Sequence, residues 1–136
     1  MKTKIQIIIT EYFFEILALF LLVFSMAFLW ENNLILTILY IIIFLTALFF
    51  WKSKEDILLF IIACIFFQIG EIIIVYYGAW TFNNPTYLGI PIWITLSWGF
   101  SSVIIKRFAN TTNKLFKLFN NNNNNNNNDN NNKVSK

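Results

Sequence analysis

Four near-continuous apolar runs, divided by short polar connections, leave this 136-residue chain few ways to fold. The runs cover about residues 12–30, 34–51, 57–77 and 88–105. Each is near the ~20 residues that cross the hydrocarbon core of a bilayer as a helix. The Ile, Val and Phe content would favour strands in water. In lipid, however, every backbone N–H and C=O needs an internal partner, so spans of this kind are helices. The expected fold is therefore all-α: an integral membrane four-helix bundle.

Composition supports the same reading. Only 12% of the residues are charged, whereas 57% are hydrophobic and 19% aromatic. Soluble domains carry roughly 25% charged residues. A chain this short buries a limited share of its surface, so the excess apolar area is expected to face lipid. The first run stays apolar through Leu29 and Trp30, with no small-residue cleavage pattern before Glu31. It reads as a retained helix rather than a cleaved signal peptide.

Lys and Arg set the expected orientation. Lys2 and Lys4 precede the first run, Lys52 and Lys54 fall in the second connection, and Lys106, Arg107, Lys114 and Lys117 follow the fourth run. The first and third connections have none. Cations collect on the cytoplasmic side of membrane proteins, so both termini are expected there. Trp30, Trp51, Tyr76, Tyr77, Trp80 and Tyr87 fall where interfacial aromatic belts belong. Because the cations flank apolar spans, the net charge of +3 reads as topology and not as a nucleic-acid surface.

The connections differ in kind. Glu31-Asn32-Asn33 is short enough for a tight antiparallel hairpin. Glu55 and Asp56 sit at the positive end of the third helix. The third connection, residues 78–87, is uncharged and interleaves Trp80, Phe82 and Tyr87 with Asn83, Asn84 and Pro85. Residues 1–11 form the cytoplasmic N-terminus, and residues 12–105 form the transmembrane domain. Residues 106–119 read as a basic amphipathic segment suited to an anionic inner leaflet, or as a fray of the last helix. Residues 120–136 are nearly pure Asn and are expected to be a disordered tail.

Chemistry has few carriers here. The chain has no histidine and one cysteine, Cys64, which leaves no intrachain disulfide and no Cys/His metal pattern. No metal or cofactor is expected. Glu71 stands out because an intramembrane carboxylate is costly and needs a reason. It lies about 9 Å from the outer end of its helix, at 1.5 Å per residue. Gln68 shares its face at i−3. No Lys or Arg lies on that side to pair with it. In protonated form Glu71 would serve as a general acid, a proton carrier or a hydrogen-bond donor. Equally, Gln68, Thr95 or a Trp indole could satisfy it and join helices three and four. Glu11 and Glu15 lie one turn apart near the inner end of helix one, and Glu15 is expected near Lys4 or Lys52.

Helix four is expected to open at Gly89-Ile90-Pro91, with Pro91 in its first turn. Pro91, Thr95, Trp98 and Ser102 then share one stripe, the natural partner of the Gln68/Glu71 face. Gln68, Glu71, Tyr77, Trp80, Asn83, Tyr87, Thr95 and Trp98 are the candidate ligand-binding residues. Together they would line an outward-facing, uncharged aromatic pocket. Such a pocket suits a lipid-like ligand with one polar end.

The run Gly78-Ala79-Trp80-Thr81-Phe82, then Pro85, then Gly89-Ile90-Pro91-Ile92-Trp93 through Trp98-Gly99 carries a resemblance. It is similar to small uncharacterised multi-pass membrane proteins with a GAWxY…P…GxPxW…WG signature. More distantly it resembles the carotenoid hydratase-type membrane family. There a Glu precedes a G-x-Y-x-Y element followed by G-V-P-x-x-x-P-L-x-W. Gly89, Pro91, Leu96 and Trp98 match at the same spacing, Trp80 and Phe82 stand at its aromatic positions, and Thr95 replaces a proline. The likeness covers about a quarter of the chain and implies a shared helix–loop–helix core. The family adds water to a terminal isoprenoid double bond, so the resemblance also implies Glu71 as the candidate catalytic acid.

Three functional readings follow. One is a non-enzymatic membrane protein that binds a lipid or isoprenoid in an outer-leaflet pocket between helices three and four. A second is an enzyme on a prenyl- or carotenoid-type lipid. A third is a small proton-coupled exporter, since four such helices with a Glu in the first (here Glu15) resemble the small multidrug transporters, which work as dimers. The expected partners are membrane lipid and either a second copy of the chain or another membrane protein.

Overall fold

The computed structural model describes the backbone of residues 2–51 and 53–134 and the side chains of residues 3–49 and 53–121. The side chains of Lys2 and Trp51, and all of Lys52, used above to orient the chain, lie outside what is described. The described elements are four helices: α1 (Lys2–Leu29), α2 (Asn33–Trp51), α3 (Lys54–Tyr76) and α4 (Ile92–Val134). Among the described residues there is no strand beyond one isolated bridge, Tyr87 with Ile90. The all-helical expectation holds. Two stretches, Thr3–Leu29 and Lys54–Tyr76, are long and apolar enough to cross a membrane, and the apolar stretch Asn33–Phe49 is shorter.

The helix boundaries have local causes. Asn32 begins α2 by accepting the Ile35 N–H on Oδ1 at 3.1 Å, as a capping residue does. Ser53 does the same for α3, accepting the Asp56 N–H at 3.3 Å. Glu55 and Asp56 fill the first turn of α3. At the other end of α3, Gly78 at φ 73° turns the chain. Its N–H bonds to Val75 at 3.0 Å, and the Ala79 N–H bonds to Ile74 at 3.1 Å. This is a Schellman closure, which favours glycine at the left-handed position.

The start of α4 corrects the sequence reading. Residues 88–91 are not helical; α4 begins at Ile92. Tyr87 and Ile90 exchange both backbone bonds, at 3.0 and 2.9 Å. Between them Leu88 and Gly89 both take positive φ, 49° and 81°. Two successive left-handed residues make a type I′ turn and exclude a helix. Pro91 therefore precedes α4, and its carbonyl accepts the Ile94 N–H at 3.1 Å.

Beyond the fourth apolar run the backbone of α4 continues as a helix through residues 106–119, in keeping with a continuation of the last helix, and on to Val134. No Gly or Pro follows Gly99, so nothing in the chain forces the i→i−4 ladder to stop.

The residues fall into two compact units. One is Met1–Ile16 with Lys106–Lys136, and the other is Leu17–Ile105. The second holds the candidate site. Its core is Leu22, Leu36, Tyr40, Ala47, Phe60, Ile90, Trp93, Ile94, Phe100, Val103 and Ile104. The Tyr40 hydroxyl donates to the Leu22 carbonyl at 3.0 Å and ties α1 to α2. The Phe44 and Phe60 rings stack at 3.7 Å between α2 and α3. Helices α3 and α4 meet closely at Gly99, where an added Cβ would lie 2.5 Å from Cys64 Sγ and 2.7 Å from the Phe60 ring. Only a residue without a side chain fits that approach. Many large apolar side chains outside this core are open. Phe49, Phe66 and Phe28 are each more than two-thirds exposed, and Phe20, Phe24 and Phe28 form an outward ladder of rings on α1.

In the first unit, Glu15 is 6% exposed and accepts the Thr111 hydroxyl on Oε1 at 2.8 Å. The hydroxyls of Tyr12 and Thr112 meet at 2.8 Å, and Lys114 pairs with Glu11 at 2.7 Å. The partner that places Glu15 is thus Thr111, where a lysine was expected; it is on α4, nearly a hundred residues away.

Candidate functional site

Helical spacing puts Gln68 and Glu71 on one face of α3 and Thr95 and Trp98 on one face of α4. In the folded chain these faces meet residue for residue. The Thr95 hydroxyl donates to Gln68 Oε1. One turn further along, the Trp98 indole N–H donates to Glu71 Oε1 at 3.0 Å. The Trp98 ring is held flat on Phe67, with centroids 4.8 Å apart and planes 16° from parallel. That stacking fixes the direction in which the N–H points.

The other Glu71 oxygen faces the connection. Trp80, just past the Schellman turn, donates its indole N–H to Glu71 Oε2 at 3.3 Å. Glu71 is 6% exposed while Trp80 is 47% exposed. The carboxyl group is therefore buried under one half-open indole and beside one fixed indole. An indole N–H is a donor only, so both Glu71 oxygens act as acceptors. No Lys or Arg salt bridge to Glu71 is present among the described residues.

Five of the eight candidate residues are brought together: Gln68, Glu71, Trp80, Thr95 and Trp98. The other three are not. Tyr77 is 80% exposed and sets its ring edge-on to Tyr76. Tyr87 is 68% exposed at the type I′ turn, and Asn83 is exposed. The turn at Gly78 reverses the chain right after Tyr77, so Tyr77 and Trp80 leave in different directions. The centre is consequently closed rather than an open pocket. Among the described residues, an open groove lies on α1 and α2, lined by Leu21, Phe24, Ser25, Phe28, Leu29 and Leu39 among others.

A second polar centre escaped the sequence reading. Asn33, the first residue of α2, accepts the Trp93 indole N–H on Oδ1 at 3.0 Å. Its amide donates to the Asn84 carbonyl and to Thr86 Oγ1, the latter at 3.1 Å. The Asn84 amide in turn donates to the Glu31 carbonyl at 3.0 Å. The α1–α2 turn and the α3–α4 connection are thereby stitched together. The short Asn-containing turn is visible in the sequence, but nothing local links it to Trp93, which lies off the Thr95/Trp98 stripe.

No family model, curated protein or solved structure matches this chain.

Proposed function

We propose that this chain is a multi-pass membrane protein, with both termini on the cytoplasmic side, that binds a lipid or isoprenoid at the Glu71 centre. Several observations support the membrane part of the reading. Two helices have the length and apolarity to span a bilayer. Large apolar side chains are exposed on α1, α2 and α3 alike, a surface that water disfavours. The alternation of Lys and Arg between connections fits the cytoplasmic-cation rule.

The single observation that carries the binding part is the Glu71 carboxyl group, buried in an apolar setting, without a salt-bridge cation, and capped by a half-exposed indole. A costly group in such a place is a functional candidate by default. Among the described residues its bonded partners are two indole N–H groups, with no acid, base or nucleophile bonded to it, which favours the binder over the prenyl-lipid enzyme.

Mass spectrometry of the protein purified in mild detergent, beside Glu71→Gln, tests this. A stoichiometric lipid or isoprenoid that is lost from the variant is the expected result. An empty protein, identical in both forms, would leave Glu71 as a helix-joining acceptor alone.

A further inference from the structure

We propose that Trp80 is an exchangeable stopper, and that the ligand is a neutral amphiphile whose hydroxyl takes the place of the Trp80 indole on Glu71 Oε2. This rests on the lipid-binding reading and adds to it the chemistry of the ligand's polar end.

The two indoles on Glu71 are held very differently. Trp98 belongs to α4, stacks on Phe67, and donates at 3.0 Å. Trp80 belongs to the connection and donates at 3.3 Å with half its surface open. The connection is anchored on both sides of Trp80. Before it, the Schellman bonds fix Gly78 and Ala79. After it, Asn84 and Thr86 are bound to the α1–α2 turn, and Tyr87 to Ile90 closes the type I′ turn. Residues 80–83 between these anchors contribute no backbone hydrogen bond among the described residues. Phe82 packs against the core, so the motion belongs to the half-open Trp80 side chain, which can rotate away without disturbing either anchor.

Swinging away uncovers a buried oxygen that needs a donor, because an unpaired buried acceptor costs about 1–3 kcal/mol. Both present partners are neutral N–H donors. A ligand hydroxyl restores the same bond with no change of charge. An ether or ester head has no hydrogen to give, and an ionised carboxylate or phosphate head offers only acceptors. The apolar surroundings of the centre leave the rest of the ligand to be hydrocarbon.

The test uses the full-length protein in detergent micelles, a long-chain prenyl alcohol, and the methyl ether of that alcohol. Indole N–H resonances are followed by NMR with 15N-labelled tryptophan. The alcohol is expected to move the Trp80 resonance and leave that of Trp98 in place, while the ether moves neither. Trp80→Phe removes the competing donor, and the alcohol should then bind roughly three- to tenfold more tightly, the factor that a net hydrogen bond gives. The wild-type resonances need no variant, so a folding defect in Trp80→Phe would not spoil the test. If ether and alcohol bind equally and the Trp80 resonance stays still, the stopper is overturned while lipid binding stands. If neither probe binds to either protein, both readings fall.

Discussion

Trp93 and Asn33, sixty residues apart in the chain, are joined by a 3.0 Å bond from the indole N–H to the amide oxygen. Trp93 is 8% exposed, so its N–H has little access to any other acceptor. Asn33 also spends its amide hydrogens on Asn84 and Thr86. One side chain thus closes the gap between the α1–α2 turn and the connection that carries Trp80.

Asn33→Ala should accordingly destabilise the protein by about 1–3 kcal/mol, the cost of leaving a buried donor unpaired. Asn33→Asp should cost less, since it retains the oxygen that Trp93 needs and loses only the donors. Thermal unfolding in detergent, followed by tryptophan fluorescence, checks the order. An Asp variant as weak as the Ala variant would place the stabilisation in the Asn84 and Thr86 bonds instead.

The type I′ turn gives a pair of opposite effects at neighbouring positions. Leu88 and Gly89 both have positive φ, but only leucine suffers for it, by about 1–2 kcal/mol. Leu88→Gly should be neutral or stabilising, because Leu88 is exposed and loses little packing. Gly89→Ala should destabilise, both through its φ and because an added Cβ would lie 2.9 Å from a Val75 methyl. Unfolding midpoints of the two variants should move apart in sign, with Gly89→Ala always the lower.

These cases show what the sequence could reveal. The meeting of Gln68 with Thr95 and of Glu71 with Trp98 was legible because 3.6-residue periodicity aligns each pair on its own helix. The Asn33–Trp93 bond was not, since no local rule links residues so far apart. Leucine is among the last residues expected at a left-handed position, so the turn at Leu88 was read as the start of a helix. Tyr77 and Tyr87 were placed by their aromatic character alone, which says nothing about direction once a Schellman turn intervenes.

Orientation can be checked without reference to any ligand. If both termini are cytoplasmic, a reporter that is active only outside the cytoplasm should be active when fused within residues 83–84 and silent when fused after residue 119. Single cysteines in a Cys64→Ser background give the same answer by labelling from outside. Label at Asn32 or Asn83, with none at Asn113, is the expected pattern. The reverse pattern would invert the chain and place the Glu71 centre toward the cytoplasm.

The buried pair in the first unit offers a sharper test of polar bookkeeping. Glu15 Oε1 has one donor, the Thr111 hydroxyl, and Thr111 is 2% exposed. Oε2 of the same carboxyl group is buried with no hydrogen-bond partner. Removing the donor alone, by Thr111→Val, leaves a buried carboxyl group with neither oxygen bonded and should cost about 1–3 kcal/mol or more. Glu15→Leu removes the group that needs satisfying, at the expense of one unpaired hydroxyl that can turn to its own helix backbone. The double variant removes both partners of this hydrogen bond and should lie closer to wild type than Thr111→Val, as when both partners of a hydrogen bond become apolar. Measured unfolding free energies should therefore be strongly non-additive, with Thr111→Val rescued by Glu15→Leu. Additive losses would mean that Glu15 is satisfied by something other than Thr111.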